Sequence, residues 1–348
     1  MSYSPRPLEL PAPVRRRPKV PSLAFVIPCF NEEAALPALL PRLKVISDDL
    51  VASGRIRGEA VAILVDDGSR DATWEMICAA RESQRVIGIR LSRNHGHQRA
   101  LLAGLMQAEA DVVISMDADL QDDPGAIPAM IDAYARGAEI VYGVRGAREA
   151  DTAFKRRTAH AYYALLSRLG VDLVPDHADF RLMSRKALSA LAQFEEANLF
   201  LRGMIPQLGF ATETVTYDRG ARSAGESKYS LRKMIALAVE GITSFSVRPL
   251  RIITLLGFAV ASLALVFMVY SFVAWAMGAT VTGWASTVMP MYLLGGAHLI
   301  ALGVIGEYVG KIYQETKRRP RFIIDEVVTT TPLLADDALL SDVVAVHR

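Results

Sequence analysis

Two carboxylates stand two residues apart directly after an apolar segment of strand type. Asp117 and Asp119 follow Asp111–Met116, and Leu120-Gln121 comes next. Carboxylates with this spacing at a strand end can share one hard divalent cation, and that cation can bridge the phosphates of a diphosphate. The same spacing is also typical of solvated turns. Its meaning therefore depends on which other polar residues lie nearby.

Two further polar clusters end earlier apolar segments. Asp66-Asp67-Gly68-Ser69 follows one segment, and the run from Pro28 to Glu33 follows another. Because the carboxyl ends of parallel strands meet at one edge of a sheet, we expect the three clusters to converge. Carboxylates at such an edge can accept hydrogen bonds from ribose hydroxyls or base N–H groups. The sequence lacks the phosphate-binding loop motifs GxGxxG and GxxxxGK[ST], which disfavours a dinucleotide-binding or P-loop protein.

The segments that position these clusters alternate between strand and helix patterns. Such alternation predicts βαβ units, a parallel sheet and an α/β fold. His95 and His97 precede one predicted helix, where a helix-capping role is favoured over a metal pair. The predicted strands are Leu23–Ile27, Ala60–Val65, Val86–Leu91, Asp111–Met116 and Glu139–Tyr142, and the predicted helices are Ala34–Val51, Asp71–Ser83, Gln98–Ala108 and Pro124–Arg136.

The charge distribution divides the chain of 348 residues, which carries a formal net charge of +2. Between Arg251 and Glu307 no charged residue occurs, and His298 alone breaks the uncharged stretch. A bilayer requires about 20 apolar residues per span, so we predict spans at residues 252–277 and 286–307. A buried hairpin of a larger soluble fold is the alternative. His298 is either functional within the second span or a neutral packing residue.

Basic residues flank the outer ends of the predicted spans, and the linker between them has no charge. The positive-inside rule therefore places the soluble part in the cytoplasm. Residues 231–247 form an amphipathic pattern, typical either of a helix in the membrane interface or of a core helix. The flanking basic residues are Arg248, Arg251, Lys311, Lys317, Arg318, Arg319 and Arg321.

The N-terminal residues are rich in proline and arginine. We expect a disordered leader over residues 1–20, with a signal peptide as the alternative. Cys29 and Cys78 lie in separate apolar segments without CxxC spacing, which favours core residues in a reducing compartment.

Six motifs in this order resemble family 2 glycosyltransferases of the polyprenyl-phosphate type, a group that includes dolichol-phosphate mannose synthases and bactoprenol glucosyltransferases. The resemblance covers residues 22–321, including both predicted spans. PxxNE and DDGS are widespread in family 2, whereas the later motifs combined with two C-terminal spans are more specific. The motifs are PCFNEE, VDDGSRD, NHGHQRALLAGL, DADLQDDP, DFRLMSRKAL and AGESKYSLRKM.

The resemblance implies a GT-A fold, a Rossmann-like nucleotide-sugar-binding domain, and a role for each matching residue. For the nucleotide it implies Pro28, Phe30, Glu32, Asp66, Asp67 and Asp117. For Mg²⁺ or Mn²⁺ it implies Asp117, Asp119 and Gln121, and for the lipid phosphate Arg222, Ser227 and Lys228. Asp119, Asp179 and Arg202 are the implied catalytic residues. The loop around Arg222 could also be an ordinary solvated basic loop.

The reaction expected from the resemblance is the transfer of one sugar from a nucleotide-sugar to a polyprenyl phosphate such as undecaprenyl phosphate. Direct displacement predicts inversion at the anomeric carbon. Asp179 is either a base or positioning group, or the partner of an arginine such as Arg181 in a salt bridge. UDP-glucose is the favoured donor, with GDP-mannose and other UDP-sugars open, and a homo-oligomer is open as well. The expected location is a bacterial inner membrane.

The predicted organisation follows from these observations: leader 1–20, catalytic domain 21–230, interfacial helix 231–250, spans 251–278 and 286–310, and a cytoplasmic tail 311–348. A processive synthase is disfavoured because no QxxRW motif occurs. Nucleic-acid binding is disfavoured because the charge is nearly balanced and no basic stripe occurs. A non-catalytic membrane scaffold has little reason to combine a metal pair with polar clusters that suit a nucleoside. We call the edge of the sheet where these clusters lie the rim.

Overall fold

The computed structural model describes residues 17–146, 177–217, 248–277 and 284–330. Strands and helices alternate through the first range, as the sequence predicts. The strands are β1 (Leu23–Cys29), β2 (Val61–Asp66), β3 (Val86–Leu91), β4 (Val112–Ser115), β5 (Ile140–Arg145), β6 (His177–Ser184), β7 (Thr212–Tyr217) and β8 (Ile324–Thr329). The helices are α1 (Leu36–Ala52), α2 (Thr73–Ala80), α3 (His97–Gln107), α4 (Ile127–Arg136), α5 (Arg185–Leu191), α6 (Leu201–Gln207), α7 (Arg248–Ala276) and α8 (Trp284–Thr316).

The eight described strands form one sheet in the order β7-β5-β6-β4-β1-β2-β3-β8. Six of them run in one direction, while β6 is antiparallel to both of its neighbours and β8 is antiparallel to β3. The five strands predicted from the sequence all run in one direction, as expected, and the two antiparallel strands come from later parts of the chain. Apolar periodicity indicates which residues of a strand face the core, but it does not encode the direction in which the strand pairs.

Helices cover both faces of the sheet and bury its central strands. All seven residues of β1 and all four of β4 are buried, as expected for strands between two helical layers. The core on one face includes residues of α1, α2 and α4. The core on the other face includes residues of α3, α5 and α6. Both layers hold the strand ends rigidly at the edge where the polar clusters lie.

The helices α7 and α8 contain 29 and 33 residues and are long and apolar enough to cross a membrane. The apolar windows are Arg248–Phe267 and Leu293–Thr316, and none of either window is buried. Phe258 is 69% exposed and Leu299 is 72% exposed. This exposure excludes a buried soluble hairpin, because such a hairpin would cover its apolar side chains. The predicted interfacial helix lies outside the described residues, except for residues 248–250, which begin α7.

Two predicted boundaries need correction. Residues 324–329 of the expected tail form β8, an edge strand of the sheet. None of its six residues is buried, so selection for an apolar face is weak and the sequence shows little strand periodicity there. The expected leader is also too long: Arg17 donates to the carbonyl of Tyr134 at 2.5 Å and pairs with Glu139 at 2.8 Å.

Candidate active site

The polar clusters after β1 and β2 are joined by hydrogen bonds. The backbone N–H of Asn31 donates to Ser69 Oγ at 2.9 Å, and Asn31 Oδ1 accepts from the N–H of Arg70 at 2.9 Å. Glu33 Oε2 accepts from the N–H of Ala72 at 3.1 Å. The predicted convergence is thus present for these two of the three clusters.

The carboxylates that end β2 are buried and bind neighbouring backbone. Asp67 Oδ1 accepts from the N–H of His95 at 2.7 Å, and its Oδ2 accepts from the N–H of Gly96 at 2.9 Å. Asp66 Oδ1 accepts from the N–H of Ser69 at 3.1 Å. Burial raises the pKa of Asp67, and the two backbone donors partly offset that effect. Asp67 therefore holds the loop that leads into α3, while the nucleoside role of both aspartates stays a prediction.

Gly68 allows this loop to approach the end of β2. Its φ is +70°, and a Cβ at this position would lie 2.7 Å from the backbone of Arg93 and Asn94. Only glycine combines this backbone conformation with so close an approach.

Three residues of the first cluster were predicted to bind the nucleotide. Pro28 lies within β1 beside Val65, and the side chain of Phe30 is exposed, with its ring free to stack on a base. Burial raises the pKa of Glu32, and the negative charges of Asp119 and Asp117 raise it further. Glu32 is thus in the electrostatic field of the predicted metal pair, and these nucleotide roles stay predictions.

The carboxylates after β4 have a different environment. Asp117 is half-buried, Asp119 is exposed, and Asp119 Oδ1 accepts only from the N–H of Gln121, at 3.1 Å, among the contacts described. Asp117 Oδ1 is inaccessible to solvent and has no hydrogen-bond partner among the described residues. Burial raises the pKa of Asp117 to about 6; His97 lowers it, while Asp179, Asp122 and Asp119 raise it. Apart from His97, the side chains that act on Asp117 are carboxylates, so negative charge accumulates at this strand end.

This environment fits a divalent cation. Within the described ranges no group of three or more His, Cys, Asp or Glu residues forms a metal site by itself. Asp117, Asp119 and the amide of Gln121 offer hard oxygen ligands, and a diphosphate and water would complete the coordination. The buried Asp117 oxygen without a hydrogen-bond donor is the group that such a cation would satisfy. Gln121 itself is buried, at 6% exposure.

Asp179 lies at the start of β6, which the antiparallel pairing brings to the same edge. Three basic side chains contact its carboxylate: His97 Nε2 at 3.3 Å, Arg202 Nη2 at 3.2 Å, and Arg181, which forms a salt bridge with it. The hydrogen bond from His97 and the charges of both arginines hold the pKa of Asp179 well below its ordinary value, although burial opposes this. A carboxylate with so low a pKa is a poor proton acceptor. The geometry supports the salt-bridge alternative and does not support a general base.

His97 is the residue whose importance the sequence pattern understates. It begins α3, and its Nε2 lies 3.5 Å from Asp117 Oδ1 and 3.3 Å from Asp179 Oδ2. His97 thus links the predicted metal pair to the cluster around Asp179. Its place at the start of a helix beside the rim was the available signal. The spacing His95-Gly96-His97 did not show which of the two histidines faces the carboxylates.

The predicted residues fall into two groups by location. At the carboxyl edge of the sheet, Asp117, Asp179 and Arg202 are linked by contacts that pass through His97, and Asp119 and Gln121 follow Asp117 directly in the chain. Arg222, Ser227 and Lys228, predicted to bind the lipid phosphate, lie outside the described residues.

The chain matches the family described as "Glycosyl transferase family 2" over residues 24–192. Among its relatives is an uncharacterized glycosyltransferase, YkoT, of Bacillus subtilis, which is 47% identical over 88% of this chain and 91% of that protein. A prophage bactoprenol glucosyl transferase homolog of Escherichia coli is 37% identical over 88% of this chain and 99% of that protein. The bactoprenol glucosyl transferase of Shigella phage SfV is 37% identical over 87% of this chain and 97% of that protein.

Among solved structures, mannosyl-3-phosphoglycerate synthase from Rubrobacter xylanophilus has a TM-score of 0.45 and 16% sequence identity. The similarity covers 66% of this chain and 74% of that one.

Proposed function

Because this chain belongs to glycosyl transferase family 2, we propose that it transfers a single sugar from a nucleotide-sugar to a polyprenyl phosphate. The chain is a glycosyltransferase with a GT-A α/β domain. The relatives that bear the name bactoprenol glucosyl transferase are matched over nearly their whole length, which supports the same class of acceptor here. They also favour glucose as the sugar, and we propose UDP-glucose as the donor.

The observation that carries the choice of acceptor is the exposure of α7 and α8. Both apolar windows are wholly uncovered by protein, so they require a bilayer or a similar apolar environment. We propose that they span the membrane at residues 251–278 and 286–310. The basic residues at their outer ends favour a cytoplasmic catalytic domain. An enzyme held in this way meets a membrane-embedded lipid phosphate more readily than a soluble acceptor.

In the proposed mechanism the rim binds the donor. Phe30 would stack on the base and Glu32 would face the nucleoside, at an edge that Asp66 and Asp67 keep in place through the backbone they bind. Asp117, Asp119 and Gln121 would hold Mg²⁺ or Mn²⁺. A bound divalent cation neutralises charge on the departing nucleoside diphosphate. His97 keeps the side chain of Asp117 oriented, because its Nε2 lies between Asp117 and Asp179.

The acceptor needs no strong base. A phosphate monoester has a second pKa near 6, so its oxygen is already largely ionised at neutral pH. This fits the low pKa of Asp179, which orients Arg202 rather than accepting a proton. Arg202, with Arg222, Ser227 and Lys228, then provides cationic and hydroxyl groups for the phosphates. The lipid phosphate oxygen forms a bond to the anomeric carbon as the bond to the nucleoside diphosphate breaks, with inversion.

The test is transfer of radiolabelled sugar from a panel of UDP- and GDP-sugars to undecaprenyl phosphate, with the full chain purified in detergent and supplied with Mg²⁺ or Mn²⁺. Asp119→Ala is the test variant. Asp48→Ala is the control, because it removes an exposed carboxylate of α1. We expect labelled lipid from UDP-glucose with the wild type and the control, and none with Asp119→Ala or after chelation. Nucleotide binding without transfer from any donor would contradict the proposal and favour a non-catalytic scaffold.

A further inference from the structure

The segment that follows the second apolar helix returns to the α/β domain. We call residues 315–330 the strap. Its first contact comes from Glu315, one residue before the end of α8. Glu315 Oε2 accepts from the N–H of Ala197 at 2.9 Å, and Glu315 Oε1 accepts from the N–H of Asn198 at 2.9 Å. One carboxylate thus binds two successive backbone donors that lie more than a hundred residues away in the sequence.

The rest of the strap is fixed to the same region and to the sheet edge. Arg321 Nη1 donates to the carbonyl of Phe194 at 2.7 Å, and the carbonyl of Ile323 accepts from the N–H of Ser92 at 3.0 Å. Beyond it, β8 pairs with β3 from Leu91 back to Ile87. The strap is therefore anchored at several points. The first of them along the chain is Glu315, which lies in the last turn of α8.

The backbone that Glu315 binds leads directly into the active site. Ala197 and Asn198 precede α6, whose first N–H, that of Leu201, donates to Gln98 Oε1 at 3.0 Å. The next residue, Arg202, contacts Asp179 Oδ2 at 3.2 Å. Gln98 in turn follows His97, which contacts Asp179 from the other side. The start of α6 is thus held from α3 by Gln98 and from α8 by Glu315.

The helix α8 connects this contact to the proposed span. Its 33 residues extend for about 50 Å, whereas the hydrocarbon core of a bilayer is about 30 Å thick. The proposed span ends at residue 310, so the helix continues as one element to Glu315. Because α8 is one continuous helix, the position of the proposed span in the membrane also sets the height of Glu315 and of the loop that Glu315 binds.

We propose that Glu315 is a positioning residue that fixes Arg202 against Asp179 by tying the loop before α6 to the end of the second apolar helix. The inference rests on the proposed function and adds a physical role for the strap. The phosphate of a membrane lipid lies at a fixed distance from the bilayer centre. Arg202, which we propose to contact phosphate, must therefore be held at a matching distance from the membrane. A carboxylate suits this role because each of its oxygens can accept one of the two N–H groups, whereas an amide offers one oxygen for two donors.

The test compares Glu315→Gln with Glu196→Gln in the full chain, using transfer from UDP-glucose to undecaprenyl phosphate. Glu196 is an exposed residue beside Ala197, so its substitution makes the same change of charge within the loop that Glu315 binds. We expect Glu315→Gln to lower kcat about 10-fold, with the KM for the donor changed less than about 2-fold, because small displacements of a catalytic group cost up to 10²-fold. Glu196→Gln should match the wild type. Equal activity of the two variants would overturn the proposal.

A double-mutant cycle separates positioning from general structural support. In an Arg202→Ala background, Glu315→Gln should lower the residual kcat less than about 2-fold, because its effect passes through Arg202. The same 10-fold loss in both backgrounds would overturn the proposal. Should Glu315→Gln fail to fold, Glu315→Asp replaces it, since it keeps both oxygens on a shorter side chain; we expect about a 3-fold loss, and wild-type activity would count against the proposal.

Hydrogen exchange gives a readout that does not depend on catalysis. In the wild type we expect slow exchange at the amides of Ala197 and Asn198, and faster exchange there in Glu315→Gln, with β1 unchanged. An inactive wild type with this exchange pattern would contradict the proposed function alone. An active wild type whose amides at 197–198 exchange freely would contradict the role of Glu315 alone.

Discussion

The ends of β2 and β4 carry the same type of side chain at the same edge of the sheet, yet their environments differ. Asp66 and Asp67 are almost fully buried, and both accept hydrogen bonds from nearby backbone N–H groups. Asp117 and Asp119 are more exposed. Asp66 Oδ2 and Asp117 Oδ1 each lack a hydrogen-bond donor among the described residues, but Asp66 Oδ2 lies 3.7 Å from Arg90 Nε. The first pair holds a loop, while in the second pair Asp117 contacts His97 and lies among the carboxylates of Asp179, Asp122 and Asp119.

The difference shows that the surrounding donors, and not the residue type, decide what a carboxylate does. A buried carboxylate that receives N–H donors stabilises the local backbone. A carboxylate crowded by other acids costs folding free energy unless a ligand compensates it. The ends of β2 and β4 should therefore respond in opposite ways to neutral substitution, one in stability and the other in activity.

The largest effect is expected at the end of β4. Asp119→Asn should lower transfer by on the order of 10³-fold, because a group that stabilises charge in the transition state is lost. Its melting temperature without metal should stay close to that of the wild type, since Asp119 is exposed and accepts one described hydrogen bond. Initial rates and thermal melts on the same preparation check both points. A large loss of stability in Asp119→Asn would show that the carboxylates after β4 support the fold as those after β2 do.

The next effect is expected at Gly68, beside the buried pair. Gly68→Ala should cost about 3 kcal/mol of unfolding free energy, from the left-handed backbone and from the close contact with Arg93. Gly54→Ala is the matched control: its φ is +68°, but a Cβ there meets nothing within 4 Å. It should cost only about 1 kcal/mol. Equal losses in denaturant titrations would mean that backbone conformation alone, and not the close approach, matters at Gly68.

Asp67→Asn should lower stability by about 1–2 kcal/mol, because the amide keeps one acceptor oxygen where two N–H groups need one each. The measurement is again a denaturant titration, carried out without nucleotide or metal. Rates should fall only modestly if the role of Asp67 is to hold the loop before α3. A loss of activity as large as that of Asp119→Asn, at unchanged stability, would support the predicted nucleoside contact instead.

The smallest effect has the opposite sign. The pKa of Asp117 in the folded chain is about 6, above the ordinary carboxyl value of 3.8. Its favourable contribution to stability is present below pH 4 and is lost as the pH rises through 6. Asp117→Asn should therefore be more stable than the wild type at pH 7.5 in EDTA, by about 1 kcal/mol after allowance for solvent screening. Thermal melts from pH 7.5 to pH 4 should show this advantage disappearing.

The sequence by itself determined the α/β alternation and the position of the rim. Strand and helix patterns are local, and the polar residues that end β1, β2 and β4 follow their strands directly. The uncharged stretch after Arg251 likewise predicted two helices from composition alone. These features depend on periodicity and on residue type, both of which a single sequence displays.

Only the tertiary structure decided how distant segments meet at that rim. The antiparallel direction of β6 brings Asp179 to the carboxyl edge, and His97 then lies between Asp117 and Asp179. Likewise, Glu315 at the end of the second apolar helix contacts Ala197, and β8 then pairs with β3. Strand direction and register depend on non-local pairing, and the apolar pattern of one strand is the same in either direction. Asp179 was visible in the sequence as a carboxylate, but the basic side chains of His97, Arg181 and Arg202 around it became apparent only in the folded chain.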